Sequence, residues 1–403
     1  MKPLKGIRVI DLTHMLAGPY AGMVLADLGA ETIKVEPVGT GEMTRTLLVD
    51  NPKYSFNNLG AYFLTLNRNK KSVAIDLKSH EGLNVFYDLI QHVDIVLNNF
   101  SVGVIKKLEI DYKSLIKVNP KIITCSITGF GETGPNSSRP SYDQIAQAYG
   151  GGMSITGTNS SQPLRSGIPI GDLGGGLFGV IGILSALVSR NTTGKGQHID
   201  ISLLDVQISL LNYMATMQTL SGEDPEPIGN AHFVHVPYNS FTTLDGFIII
   251  AVITNEFWNS LLQVLDIKEL NNPDFSEQEG RLKNQLFIEE LISRKLSQKN
   301  TGHWLKILSA ARIPCAPVNN FSQALSDEQV IHRNMLVEVN HPKGGSVKMP
   351  GNPVKMSDSP EDKFTSPPLL GEHTFEVLKS IMGYDTKRIE SLLKKQVISY
   401  SRT

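Results

Sequence analysis

Cysteine is almost missing from this 403-residue chain: there are two, Cys125 and Cys315, far apart. A disulfide framework is thereby excluded, and a reduced cytoplasmic setting is expected. His14, His198, His303 and His373 do not fall at metal-ligand spacing, so no metal is expected. An excess of either charge is also lacking, with 38 Lys and Arg against 39 Asp and Glu, a formal net charge of -1. Nothing in that balance points to nucleic acid or an anionic membrane. The longest apolar run, Leu173 to Val188, is about 16 residues and carries glycines, short for a membrane span. The N-terminus, MKPLKGIRVIDLTHM, lacks the apolar core of a signal peptide. What remains is 40% hydrophobic and 19% charged, the balance of a soluble globular protein. At this length two domains are the default.

The stretch that stands out is RSGIPIGDLGGGLFGVIGILSALVS, Arg165 to Ser189. One carboxylate, Asp172, precedes Gly174, Gly175 and Gly176, and Leu177–Val188 reads as a buried helix. Pro169 marks extended or turn backbone before it. Asp172 is therefore expected at a loop-to-helix junction, where a carboxylate accepts backbone N–H bonds and meets the positive end of the helix dipole. On the local pattern alone the commoner reading is a plain N-cap. The glycines argue otherwise: a cap does not need three in succession, and they would let a bulky group approach the backbone.

Elsewhere the chain alternates. Ile7–Leu12 is strand-like, Tyr20–Leu28 helix-like and Glu31–Glu36 a second strand, the opening of a doubly wound parallel sheet. No GxGxxG follows the first strand, so dinucleotide binding does not follow from the fold. Lys70–Leu77, Asp94–Leu97, Ile122–Ile127 and His198–Ser202 are further strands, with helices over Glu81–His92, Asp143–Tyr149 and Leu203–Leu220. Asn99, Phe100 and the turns of Gly129–Pro135 fall at C-terminal strand ends, the ligand edge of open α/β sheets. Arg68, Lys70 and Lys71 form a basic cluster, more often a solvated face than a phosphate site. Ser221–Asn230 reads as a linker to a smaller α+β region, with a hairpin across Leu244–Gly246. Residues 351–368 are Pro- and Ser-rich, before a helix over Phe375–Met382 with Thr374 as its cap and a last one over 386–395.

The ordered set LKGIRVIDLTHMLAGPYAGMVLADLGAETIKVE, LNRNKKSVAIDLK, DIVLNNF, ITGFGETGP, YDQIAQAYGG, GDLGGGLFGVIGILSAL, TGKGQHIDISLLD, IPCAPVNN and LLGEHT resembles the family III CoA-transferases nearly end to end. The resemblance implies an α/β fold with a Rossmann-like doubly wound parallel sheet in the large domain, a smaller α+β domain, and an interlocked homodimer. It divides the chain into 1–222, the N-terminal part of the large CoA-binding domain, 223–330, the small domain, and 331–403, a return segment and C-terminal helices completing the large one. Coenzyme A and acyl-CoA are substrates, with no cofactor bound permanently. Asp172 is the implied nucleophile, passing through an aspartyl-CoA thioester. Gly171, Gly174, Gly175 and Gly176 suit oxyanion donation or close approach by position.

The implied CoA site comprises Leu16, Ala17, Ile75, Asp76, Leu77, Lys78, Asn99, Phe100, Lys107, Tyr142 and Asp143. Pro37 stands where formyl-CoA transferase has a CoA-contacting arginine, so phosphate contact falls to Lys107, Lys78, Arg45 or Arg68. Pro163–Arg165 and Gly229–Tyr238 are similar to succinyl-CoA:glutarate-type transferases, which makes Arg165 and His232 candidates for a distal carboxylate. Two alternatives stand beside this reading. An α-methylacyl-CoA racemase needs two acid/base groups, and Tyr142 and Thr254 stand where its histidine and glutamate belong. A non-catalytic CoA-binding protein would have no use for Asp172.

Overall fold

The computed structural model describes residues 1–159, 161–360 and 363–401. Residues 160, 361, 362, 402 and 403, which fall within the expected large domain, Pro-rich return and C-terminus, lie outside the described residues. The chain divides into two compact units.

The larger unit comprises Met1–Met153, Arg165–Glu223 and the chain from Ile331 onward. Its sheet is built from β1 (Arg8–Asp11), β2 (Glu31–Glu36), β3 (Lys70–Ile75), β4 (Ile95–Asn98), β5 (Ile123–Thr128) and β6 (His198–Ser202). These six run parallel in the order β3-β2-β1-β4-β5-β6, and Ile398–Ser399 adds an antiparallel edge beside β3. That is the strand order of doubly wound sheets, with the reversal between β1 and β4. All four residues of β4 are buried, as strands covered on both faces require.

Alternate residues feed two cores. Val9 and Leu97 point to one face with α1 (Ala17–Asp27). Ile10 and Val96 point to the other with α2 (His80–Ile90) and the C-terminal helices. The connection after β5 carries α3 (Asp143–Tyr149) and α4 (Ile170–Thr193), and β6 leads into α5 (Leu203–Leu211) and α6 (Tyr213–Ser221).

α4 begins before its glycines rather than after them, so Asp172 lies in its first turn and is not the N-cap. The glycines serve packing. A Cβ on Gly174 would come 2.9 Å from Val206 Cγ1, one on Gly175 2.3 Å from Leu203 Cδ2, and one on Gly176 2.6 Å from the Ala17 carbonyl oxygen. The small face of α4 thus lets α1 and α5 approach, which corrects the expectation that Gly174, Gly175 and Gly176 make room for a ligand. By length and composition α4 would suit a bilayer, yet this face is packed inside the protein.

Two other expectations shift. The single helix over Leu203–Leu220 breaks at Asn212, whose φ is 50°. Thr374 begins its helix instead of capping it, and its hydroxyl accepts the Ala74 N–H at 3.0 Å.

The smaller unit comprises Ser154–Leu164 and Asp224–Val330, so residues 154–164 fall here and not in the expected large domain. Its antiparallel sheet has β8 (Phe247–Ala251) between β7 (Tyr238–Thr242) and β9 (Cys315–Pro317). Helices Asn255–Leu265, Gln285–Leu296 and Thr301–Ala310 cover it through Trp258, Ile292 and Trp304.

Gly176→Ala tests the packing of α4. Despite alanine's higher helix propensity, the clash with rigid backbone should cost roughly 1–3 kcal/mol. Chemical denaturation reads it; an unchanged midpoint would sink this account of the glycines.

Candidate active site

The reversal between β1 and β4 opens the crevice that the topology predicts. Its lip is the Thr13–Ala17 loop, fixed from below by buried charge. Asp11, at the end of β1, accepts from Thr13 N–H at 2.9 Å and from Lys70 Nζ at 2.8 Å. Lys34 Nζ donates to the Thr13 carbonyl at 2.6 Å and Lys70 Nζ to that of Pro19 at 2.8 Å. Burial alone would push the Asp11 carboxyl up; the Lys34 and Lys70 ammonium groups overcome it and hold it at about 2. Above, Asn99 clamps the loop from both sides, accepting from His14 N–H at 2.9 Å and donating to the His14 carbonyl at 2.7 Å. Its amide is spent on shaping the wall.

Two cavities meet at this loop and share the rings of His14 and Phe100, 5.7 Å apart. One, of about 420 Å3, runs over the ends of β2 and β3 past Ile75, Asp76, Leu77 and Lys78. The other, a tighter cleft of about 140 Å3, is walled by Leu16, Ala17, Asn99 and Tyr142 and contains Asp172. Most of the sequence-derived CoA residues therefore gather along one continuous edge. Lys107, exposed on the short helix Val104–Lys107, lines neither cavity.

Asp143, at the start of α3, lies at the N-terminus of α4. Its Oδ1 accepts from Gly171 N–H at 2.8 Å and Asp172 N–H at 3.2 Å, and its Oδ2 from Gln147 Nε2 at 2.7 Å. The two amides are thus committed to Asp143, which corrects the expectation of Gly171 as an oxyanion donor. Gly174 and Gly175 lie within the helix and are also removed from that role. Burial, and then the neighbouring Asp143 carboxylate, push the Asp172 carboxyl up to about 7.

Tyr62 was not legible in the sequence as a site residue. Burial and then the carboxylates of Asp172, Asp143 and Glu42 raise its phenol above the ordinary value. It therefore stays a protonated donor in the field of both aspartates. The Nε2 of buried Gln207 points toward the same turn, 3.6 Å from where a Gly171 Cβ would sit, with no partner among the described residues.

The phosphate candidates separate. Arg45 makes a bidentate pair with Glu36 at 2.6 and 2.7 Å, and Arg68 a buried pair with Asp27 at 2.6 Å. Both are consumed internally. Lys70 is likewise buried against Asp11, while Lys71 pairs with Glu31 and Glu376 at 2.8 Å each on a half-exposed face, so two of the three cluster members are internal and none is a free phosphate site. Lys78 remains exposed on its cavity without an ion pair among the described residues.

Arg165 is exposed, donates to the Ser166 carbonyl at 3.1 Å and is not in the cleft wall. His232 belongs to the smaller unit; its Nδ1 accepts from Val234 N–H at 3.0 Å and its ring stacks on Tyr238 at 5.1 Å. Among the described residues no group of three His, Cys, Asp or Glu side chains is placed to hold a metal.

Residues 4–374 match the profile of CoA-transferase family III. The chain belongs to that family. It is 37% identical to the succinyl-CoA:glutarate CoA-transferase of Mus musculus, over all of this chain and 92% of that one. It is 37% identical to the acetyl-CoA:oxalate CoA-transferase of Acetobacter aceti, over 91% of this chain and 93% of that one. Among solved structures it is similar to a CAIB/BAIF family protein from Brucella suis, with a TM-score of 0.84 and 35% identity over 94% of this chain and 99% of that one. As a family III CoA-transferase the chain is an enzyme that moves CoA between an acyl-CoA and a free carboxylic acid.

A pH profile tests the two-aspartate arrangement. If ionised Asp172 reacts, kcat/KM for the acyl-CoA should rise with pH through about 7 and level off above it. Asp143→Asn removes the like charge but not the burial, so the midpoint should move part of the way down. A wild-type midpoint near 4, or an unmoved one in the variant, would overturn the electrostatic reading.

Proposed function

We propose that this CoA-transferase takes CoA from a dicarboxylic acyl thioester such as succinyl-CoA and gives it to a second dicarboxylic acid, by covalent catalysis on Asp172. The observation that carries the reading is a partly desolvated carboxylate, raised to about 7, in a cleft joined to a nucleotide-sized cavity. A raised pKa makes a carboxylate a stronger nucleophile, and ionisation near neutrality keeps it available.

An Asp172 Oδ attacks the thioester carbonyl and the C–S bond breaks, leaving a mixed anhydride and CoA thiolate. The thiolate attacks the aspartyl carbonyl, the anhydride C–O bond breaks, and the donor acid departs from an aspartyl-CoA thioester. The acceptor carboxylate then reverses both steps. No net proton is transferred, so the site needs positioning and exclusion of water more than an acid or base. Tyr62 adds a protonated phenol to the field around both aspartates. The nucleotide lies over Ile75–Lys78, with Lys78 on its phosphates, and the pantetheine passes His14 and Phe100 to reach Asp172. Dicarboxylate use rests on the relatives, one named for succinyl-CoA and glutarate. The racemase reading is weakened because Thr254 spends its hydroxyl capping a helix, accepting Phe257 N–H at 3.3 Å.

The enzyme works as a homodimer, interlocked as the family resemblance implies. Supporting this, α4 exposes Leu177 (44%), Ile181 (55%) and Val188 (69%), with Leu184 between them at helical spacing. Light scattering should give twice 44.2 kDa, and Ile181→Glu should lower the dimer yield. A wild-type monomer would remove the proposal.

Asp172→Ala should abolish transfer while leaving CoA binding within a few-fold, and hydroxylamine trapping during turnover should modify Asp172 in the wild type. Residual transfer by the variant would mean the nucleophile is elsewhere.

A further inference from the structure

The cleft around Asp172 has a cation that neither the sequence motifs nor the reaction chemistry above employs. Arg139 lies in the connection between β5 and α3 and lines the same cleft as Asp172 and Tyr142. Its guanidinium sits 5.3 Å from the ring centre of Phe130 and 5.5 Å from that of Tyr149. Those rings meet edge to face at 5.3 Å. Nη1 donates a long bond, 3.4 Å, to Asn136 Oδ1, and Asn136 Nδ2 in turn donates to the Tyr149 hydroxyl at 3.1 Å. No carboxylate pairs with Arg139 among the described residues. Arg8, Arg45, Arg68, Arg190, Arg294 and Arg388, by contrast, each hold an acidic side chain.

A guanidinium racked on two aromatic faces has already lost much of its rotamer freedom, and its outer N–H groups remain free as a fork. A fork of that kind fits a carboxylate or a phosphate bidentately. Position favours the carboxylate. The CoA phosphates, in the functional reading above, lie beyond His14 and Phe100 beside Lys78. Arg139 shares the small cleft with the nucleophile, about 140 Å3, room for a short acyl chain. We propose that Arg139 is a specificity residue that receives the distal carboxylate of a dicarboxylic substrate whose other carboxyl group reacts at Asp172. The inference rests on that functional reading and goes further by assigning the recognition to Arg139 in place of Arg165.

The test compares succinyl-CoA with butyryl-CoA, which carry the same CoA and acyl chains of equal length. Arg139→Ala should lower kcat/KM for succinyl-CoA by about 10- to 100-fold, mostly through KM, as expected for one lost charged hydrogen-bonded contact. Butyryl-CoA should change by less than about threefold, within the small effects of surface substitution. Arg139→Lys, which keeps the charge but not the fork, should recover only part of the preference. Arg165→Ala should leave the ratio unchanged. Equal losses on both thioesters would place Arg139 on a CoA phosphate and overturn the assignment, as would loss of the preference in Arg165→Ala alone. A wild-type enzyme that transfers CoA from butyryl-CoA but not from succinyl-CoA would overturn the dicarboxylate reading and this inference with it. Transfer from both, with no selective loss in Arg139→Ala, would overturn the inference alone.

Discussion

Two carboxylates compete for one helix N-terminus, and the electrostatics of the cleft depend on which of them wins. The first turn of α4 offers the N–H groups of Gly171 and Asp172, and Asp143 accepts both. Asp143 is thereby the anion that complements the helix dipole. Asp172, a residue of the helix itself, is left with burial and a like charge beside it. Had the amides gone to Asp172, its negative charge would be stabilised and its nucleophilicity reduced. The same structural choice supplies a capped helix and a destabilised carboxylate at its first turn.

α4 lies over β5 and β6, with Gly179 against Ile127 and Gly182 against Ile199, and packs on α1, whose own position is framed by buried charge. Asp11 ties β1 to Lys34 on β2 and Lys70 on β3, while the two lysines reach the carbonyls of Thr13 and Pro19. Four segments are thus pinned at one point beneath the cleft. Because the Asp11 pKa is depressed in the fold, its contribution is present above the unfolded value of 3.8 and is lost as pH falls through about 2. On the alkaline side the limit is Lys70, whose ammonium burial holds down at about 8, so the network carries its full charge between about 2 and about 8 and begins to lose it just above the point where Asp172 ionises. α1, anchored through Pro19, then offers the Ala17 carbonyl against which Gly176 packs.

The sequence made the strand succession legible because each parallel strand is a short apolar run with its own turn signals, and β6 and α3 fall on their expected residues. Asp172 stood out through its motif, and the fold brings it to the cleft wall. The glycines beside it were misread because their reason lies in Leu203, Val206 and Ala17, which no local pattern places against them. The basic cluster misled in the same way. Arg68, Lys70 and Lys71 are adjacent in sequence, yet their partners Asp27, Asp11 and Glu31 are 40 or more positions away. Tyr62 and Arg139 carried no motif at all; what marks them is the neighbours that the fold brings to them.

The way cations are spent explains how so neutral a protein can handle anionic substrates. With 38 basic and 39 acidic side chains there is no general field to attract CoA or a diacid. Around β2 and β3 the structure commits Arg45, Arg68, Lys70 and Lys71 to internal pairs, so these charges hold strands and loops together and offer little outward potential. Of the two cavities that share the His14 and Phe100 rings, one retains Lys78 and the other Arg139. In the proposed reading Lys78 would meet the CoA phosphates and Arg139 the distal carboxylate of the acyl group. The protein thus meets anionic substrates with local cations and not with an overall field.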